Sequence, residues 1–241
     1  MSESRIGTAA AVDRRGALAA GIALAALCVC AGLISSPPGA GAEKRTTIIL
    51  GQTPQTPDAS CPEAPCRAVG SVTGFQIHNA EGSLPFRVPR NGEITGWTIT
   101  LSVPTPRQRA FFNGFFGRPP EAHIAILKRV PGSHPPRYRL RRQSPIEILT
   151  RTPGPHHFTL EEPLKVRTGN VVAISIPTWA SGFAVDLPDV NAWRASRERG
   201  RCTSPNDLRQ GRPQQVDGSR RNYGCRYEGA RLLYTATFVQ G

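Results

Sequence analysis

The stretch VPRNGEITGWTITLSV (88–103) shows a strict alternation of apolar and polar residues. From Trp97 onward the odd positions are apolar, and the even positions between them carry hydroxyl groups. Successive side chains of a β-strand point to opposite faces, so this pattern predicts a strand over 93–103 with one buried face. The dipeptide Asn91-Gly92 is a frequent turn signal and predicts the entrance to that strand.

Short segments of the same kind recur along most of the chain, separated by proline, glycine and asparagine. Two of them, IAIL and VVAISIP, are apolar on both faces, which is typical of central strands. Strands are expected at 46–50, 74–78, 84–88, 123–130, 138–143, 146–149, 157–160, 163–170, 171–177, 182–187 and 231–239. Helical periodicity is weak, with at most a short helix near 189–197. The pattern predicts an all-β fold, a two-sheet antiparallel β-sandwich of the jelly-roll-like kind.

Residues 1–42 have the layout of a secretory signal peptide. Arg14 and Arg15 precede an uncharged apolar run over 17–34, and the small residues at 40–42 offer a cleavage site. An uncleaved N-terminal membrane anchor is the alternative, because an apolar run of this length is near the lower limit for a span. Either way, we expect the protein to be secreted or to lie at the cell surface.

The rest of the chain is long enough for one domain with its own core. We expect a Pro-rich N-terminal segment over 43–73 that joins the domain, and a β-sandwich domain over 74–241.

Two motifs point to a group of related proteins. Pro-x-x-Gly-x-Ile-x-x-Trp ends at Trp97, and Leu-x-Val-x-x-Gly-Asn ends at Asn170, before a buried strand. Between about residues 84 and 180 the chain resembles a group of exported bacterial β-sandwich (jelly-roll-like) proteins of unknown function. Asn170 stands where an Asp is common in that group, with the same turn chemistry. The resemblance implies export and a β-sandwich, and it brings no catalytic residues.

Four cysteines lie after the leader: Cys61, Cys66, Cys202 and Cys225. Exported chains meet an oxidising environment, and four cysteines allow three pairings. We expect the nearest-neighbour disulfides Cys61–Cys66 and Cys202–Cys225. A zinc site is the alternative, although neither spacing suits a Cys-x-x-Cys knuckle.

The chain carries 30 Lys and Arg residues against 17 Asp and Glu residues, a formal net charge of +13. A field of this sign attracts anionic surfaces such as wall polymers, lipopolysaccharide and anionic lipid. Nine arginines and three acidic residues fall within 194–226, called here the arginine segment, which we expect to form a long loop held by the Cys202–Cys225 disulfide.

Basic residues interleaved with aromatic rings bind sugars and phosphates. The candidate binding residues are therefore Trp179, Trp193, Arg194, Arg197, Arg199, Arg201, Arg220, Arg221 and Tyr223. The alternative is a solvated loop that is rich in arginine because of codon usage.

Four phenylalanines crowd into the stretch FFNGFFG: Phe111, Phe112, Phe115 and Phe116. They are interface candidates with two interpretations. In the first, a short helix or folded loop caps an open end of the sandwich and buries its rings in the core. In the second, the rings form an exposed tip that docks on lipid or on a partner.

The sequence contains no His-Glu-x-x-His, no Gly-x-Ser-x-Gly and no Gly-rich phosphate loop. The adjacent pair His156 and His157 would point to opposite faces of a strand, and so would Glu161 and Glu162. We therefore expect no catalytic residue, no metal and no cofactor.

Taken together, these patterns favour an exported, non-enzymatic β-sandwich module that binds a cell-envelope component, a glycan or an anionic polymer. We expect no specific nucleic-acid partner, and membrane contact only through an uncleaved leader. Two alternatives stay open: a structural or interaction protein of the cell surface that uses the phenylalanines as its contact, and a polysaccharide- or ester-acting hydrolase on the same sandwich.

Overall fold

The computed structural model describes residues 45–241, so the proposed leader lies outside the described residues. Fifteen strands and two helices follow one another along this part of the chain. In chain order they are β1 (Thr47–Leu50), β2 (Val69–Asn79), β3 (Gly82–Ser83), β4 (Gly92–Leu101), α1 (Pro106–Phe116), β5 (Glu121–Arg129), β6 (Arg137–Gln143), β7 (Glu147–Ile148), β8 (Gly154–Val166), β9 (Val171–Ala180), β10 (Phe183–Ala184), β11 (Ala192–Ala195), α2 (Pro205–Gln210), β12 (Arg220–Asn222), β13 (Cys225–Glu228), β14 (Arg231–Leu232) and β15 (Tyr234–Gln240).

The strands form two main antiparallel sheets. The smaller sheet has the order β1-β15-β4-β8, and the larger has the order β12-β6-β5-β9-β2-β11-β13. Strands β3 and β7 attach to β2 and β5, and β10 pairs with β14 as a separate ribbon. The prediction of an all-β antiparallel sandwich is confirmed.

The core contains the apolar faces that the alternation predicted. On β4, Trp97, Ile99 and Leu101 are buried, and the Trp97 ring stacks on Phe158 of β8 with centroids 4.5 Å apart. The larger sheet contributes the apolar residues of β5 and β9, such as Ile124. Burying one such aliphatic side chain stabilises the fold by roughly 1.5–3 kcal/mol.

The long strand β8 replaces the two short strands predicted at 157–160 and 163–170. It contains Pro155 and Pro163, which cannot donate a ladder hydrogen bond. Because β8 lies at the edge of the smaller sheet, these prolines can be accommodated without breaking the strand.

Three other expectations need correction. Residues 192–195 form β11 instead of part of a helix near 189–197, because pairing with both β2 and β13 and the burial of Trp193 outweigh weak local propensity. Residues 84–88 contribute only a single bridge, between Arg87 and Val171, instead of a strand. The domain boundary expected at residue 74 falls inside β2, and β1 pairs with the last strand, β15.

The arginine segment is also more ordered than the expected loop. It contains β12 and half of each of β11 and β13, and it places helix α2 between β11 and β12. The Cys202–Cys225 disulfide joins this connection to β13, and Cys61–Cys66 closes a small loop before β2. Both predicted pairings are confirmed. In the part of the chain described here, no helix is long and apolar enough to cross a membrane.

Candidate functional site

The arginine segment brings together four of its predicted binding residues. Arg197, Arg201, Arg220 and Arg221 line a concavity of about 460 Å³. Arg199 is exposed and does not line it, and Arg194 turns away to donate a hydrogen bond from Nη1 to the Tyr223 carbonyl oxygen at 3.0 Å. Burial lowers the pKa of Arg194.

Most of these guanidinium groups are engaged by the chain itself. Arg201 lies 3.6 Å from Asp207, and Arg221 donates to the Arg212 carbonyl oxygen at 3.0 Å. Arg197 is buried and donates two hydrogen bonds of 2.9 Å, to the Tyr227 hydroxyl and to the Gly70 carbonyl oxygen. The bond from Arg197 to Gly70 holds the segment against β2 of the larger sheet, and the contacts of the other two arginines join parts of the segment to each other.

The three aromatic residues predicted to stack on a sugar are buried. Trp179 and Trp193 are 2% exposed, and Tyr223 is fully buried against Phe75 and Tyr138. This burial contradicts the expected stacking role, because a ring must offer an open face to a sugar. Burial also raises the pKa of Tyr223 well above its ordinary value. The sequence alternation could not separate these core rings from surface rings, because both occur beside arginine.

Helix α1 carries the phenylalanine quartet and begins with a capping box. The Thr105 hydroxyl accepts from the Gln108 amide nitrogen, and the Gln108 side chain accepts from the Thr105 amide nitrogen. Gln108 also donates to the Pro62 carbonyl oxygen at 2.9 Å, which ties the helix to the Cys61–Cys66 loop. The helix is therefore held in place at its start.

The quartet is divided between core and surface. Phe112 is buried against Trp179, with ring centroids 5.2 Å apart, whereas Phe111 is 61% exposed. Phe115 and Phe116 are half-buried. Helix α1 thus has a buried face, as the first interpretation predicted, and an exposed ring at Phe111.

The quartet forms one wall of an open concave surface, called here the aromatic cleft. Its volume is about 610 Å³, and its lining is mainly apolar. Across from α1 lie Trp193 and Tyr227, stacked with centroids 4.6 Å apart, together with Leu208 of α2. The structure thus joins two features that the sequence suggested separately, the phenylalanines and part of the arginine segment.

The Tyr227 hydroxyl makes two hydrogen bonds with other residues that line the cleft. It accepts from Arg197 Nη1 and donates to the Cys202 carbonyl oxygen at 2.6 Å. Burial raises the pKa of Tyr227, and the adjacent Arg197 opposes that shift. Arg197 and Gly70, which share a hydrogen bond, both line the cleft.

A second concave surface lies at the other end of β4, β5 and β9 from α1. Its volume is about 600 Å³, and six basic side chains surround it. These six residues, called here the basic groove, are Arg45, Lys128, Arg141, Arg142, Lys165 and Arg167. Glu93 is the acidic residue in the lining.

A bulge between β5 and β6 directs two of these arginines to the same surface. Ile126 pairs with Arg142 and Leu127 with Leu140, so Arg141 is an extra residue in the ladder. A bulge re-aims side chains and breaks the alternation of faces. Arg141 and Arg142 are consequently both exposed, although they are neighbours on a strand.

The Asn91-Gly92 turn shapes the floor of the groove. Asn91 Oδ1 accepts from the Thr168 amide nitrogen at 3.1 Å, and Asn170 Oδ1 accepts from the Arg167 amide nitrogen at 2.9 Å. These bonds hold the turn after β8 against the entrance to β4.

No carboxylate of residues 45–241 lies within ion-pair distance of the basic groups of the groove. Within residues 45–241 the ion pairs are Arg201–Asp207 and Arg226–Glu228, and neither belongs to the groove. Its six charges face solvent and are available to an external anion.

The histidines do not assemble a metal site within the described residues, where no group of three or more His, Cys, Asp or Glu side chains converges. His156 and His157 alternate along β8, as expected, and differ in exposure. His123 on β5 is 1% exposed, and burial lowers its pKa to about 4.

Comparison of the chain with protein-family models, with curated proteins and with solved structures found no match in any of the three. The fold and its surfaces define a disulfide-bonded β-sandwich domain with an aromatic cleft and a basic groove.

Proposed function

We propose that this chain is an exported, non-enzymatic binding module for an anionic polymer of the cell envelope, and that the basic groove is its contact surface. The observation that carries the proposal is the convergence of six basic side chains around one concavity, none of them in an ion pair with another described residue. Export is supported by the signal-like layout of residues 1–42 and by the two disulfides.

Three features favour the groove over the arginine segment as the contact surface. The groove charges are exposed, whereas Arg197 is buried and Arg201 already faces Asp207. The groove contains both lysines and arginines, drawn from several strands and turns, so its charge does not depend on one loop. Its concave shape lets several charges reach one polymer chain at the same time, which strengthens electrostatic attraction.

The groove also favours a charged polymer over a neutral glycan. Neutral sugars bind by stacking on exposed rings, and the three rings suggested for that role are buried. No aromatic residue lines the basic groove.

The test is binding of the untagged protein to dextran sulfate, with neutral dextran as the comparison polymer, over a series of salt concentrations. We expect binding to dextran sulfate only, with an affinity that falls steeply as salt rises, because bound counterions are released on association. The triple variant Lys128→Gln/Arg141→Gln/Lys165→Gln should weaken binding at least tenfold at low salt and flatten the salt dependence.

Two variants with the same change in net charge serve as controls. One replaces Arg107, Arg118 and Arg151 by Gln, which are exposed and lie outside the groove. The other replaces Arg199, Arg201 and Arg220 in the arginine segment. Equal losses in all three variants would show that net charge alone attracts the polymer and would reject the groove as the contact surface.

A further inference from the structure

We propose that the aromatic cleft binds a single long-chain carboxylate, with the apolar chain among the phenylalanines and the carboxylate beside Arg197. This is a second binding site, independent of the basic groove in both place and ligand. Its volume of about 610 Å³ falls within the range of small-molecule sites, which are concave, mostly apolar and contain a few placed polar groups.

The apolar part of the ligand is indicated by the walls. All four phenylalanines of α1 line the cleft, and Phe183 and Trp193 line its other side. Phe111 remains 61% exposed at its edge. An apolar chain in the cleft would remove these ring faces from water, which is favourable in proportion to the area covered.

The charge of the ligand is indicated by Arg197. Its side chain is 7% exposed, and no carboxylate of residues 45–241 lies within ion-pair distance. A buried charge is costly unless a partner of opposite sign compensates it. Glu228, which also lines the cleft, is held by Arg226 at 3.0 Å.

Two residues that line the cleft, Trp193 and Arg197, each carry a buried donor without a partner, and a ligand acceptor would reach these donors only by shifting the side chains around them. Trp193 Nε1 and Arg197 Nε find no hydrogen-bond acceptor among residues 45–241. Buried donors are normally satisfied, so both donors would gain from an acceptor. A carboxylate supplies several acceptor sites and a negative charge together.

An apolar cation is the main competing ligand, because aromatic walls also attract cations. The positive charge of Arg197 and of Arg67, which is exposed at the cleft, opposes that choice. The sign of the ligand's charge therefore distinguishes the two.

The test is isothermal titration of the untagged protein with three probes that share one chain length, each kept below its micelle concentration. The probes are dodecanoate, dodecan-1-ol and dodecyltrimethylammonium. We expect dodecanoate to bind at least tenfold more tightly than the other two, because a hydrogen bond to a charged group contributes about that factor. Absence of dodecanoate binding, or equal binding of the cation, would overturn the proposal.

Variants locate the site. Ala68→Trp should fill the cleft, of which Ala68 is a half-buried lining residue, and abolish binding of dodecanoate and dodecanol alike. Arg197→Met should remove the preference for dodecanoate over dodecanol. Arg118→Met, an exposed arginine just after α1 that does not line the cleft, is the matched control and should keep the wild-type preference.

Further outcomes remain decisive if Arg197→Met does not fold. In that case the preference of the wild type for dodecanoate and the effect of Ala68→Trp decide the question.

Binding of anionic phospholipid vesicles without binding of monomeric dodecanoate would identify the cleft as a membrane contact and reject the proposal. Size-exclusion chromatography of the wild type and of Phe115→Ser/Phe116→Ser tests whether a second copy of the chain occupies the cleft. A wild-type dimer that the variant does not form would also reject the carboxylate proposal.

Dextran sulfate binding should be unaffected by Ala68→Trp. Failure of the carboxylate proposal is therefore separable from failure of the proposed function.

Discussion

Trp193 and Tyr227 are directly paired across β11 and β13, and their rings stack with centroids 4.6 Å apart. This cross-strand pair forms part of the wall of the aromatic cleft and places the Tyr227 hydroxyl where it accepts from buried Arg197. The pair thus connects the sheet, the disulfide-linked segment and a buried charge.

Removal of that hydroxyl should destabilise the protein. In Tyr227→Phe, Arg197 loses one of its two hydrogen bonds and the Cys202 carbonyl oxygen loses its donor. We expect the free energy of unfolding to fall by about 1–3 kcal/mol, measured by urea denaturation. Tyr138→Phe is the matched control, because Tyr138 is also largely buried but packs through its ring, and it should change stability by less than about 1 kcal/mol. Equal losses in the two variants would assign the effect to ring packing.

The buried imidazole of His123 should make stability depend on pH. Its pKa is lowered from 6.5 to about 4 by burial, so between these values the unfolded chain binds a proton that the folded chain does not. Stability therefore falls as the pH drops from about 6.5 to 4. By linkage the loss between pH 8 and pH 5 is about 2 kcal/mol.

Urea denaturation at the two pH values measures this loss. The variant His123→Leu removes the titrating ring from its buried position and should reduce the pH-dependent loss by about 2 kcal/mol. His78→Gln, on the exposed side of β2, should retain the wild-type loss. A His123→Leu variant with the full wild-type loss would contradict the assignment.

The two disulfides should differ in their contribution to stability. Cys202 and Cys225 are 23 residues apart, whereas Cys61 and Cys66 are 5 apart. Chain entropy predicts losses of about 3 kcal/mol for the first and about 2 kcal/mol for the second when each pair is replaced by alanine. Thermal unfolding of the two double variants gives the order, and a larger loss from the shorter loop would contradict the entropic account.

Gly51 should not tolerate a side chain. Its φ of +79° is a left-handed conformation, and an added Cβ would clash with the Phe86 ring, which itself stacks on the Tyr234 ring with centroids 4.0 Å apart. We expect Gly51→Ala to lower the free energy of unfolding by at least about 2 kcal/mol. Gly132→Ala is the control, because it also has a positive φ but meets no atom within 4 Å, so it isolates the backbone contribution.

Local alternation was enough to predict the strands that have one buried face. Tyr138 and Leu140 are buried on β6 while Arg139 is exposed, as their spacing predicts, and Tyr234 begins a strand of the same kind. The pattern failed near Trp193, where pairing with strands distant in sequence determines the structure. A four-residue strand has too short a pattern to be distinguished from a helical turn.

The disulfides could be predicted because cysteines are few, but the binding surfaces could not. The basic groove combines Arg45 with residues as distant in sequence as Arg167, and it depends on the bulge beside Leu127. The aromatic cleft joins Phe115 to Tyr227 only after both sheets have formed. Such contacts follow from strand register, which no local stretch of sequence specifies.

The pairing of β1 with β15 brings Arg45 and Gly241 to the same rim of the basic groove. A peptide fused after Gly241 would therefore be tethered beside the six basic side chains. An acidic fusion would act as an intramolecular competitor with an effective concentration in the millimolar range, far above that of most added polymers. A neutral or removable fusion would leave the groove free, whereas an acidic fusion would block polymer binding from within the same chain.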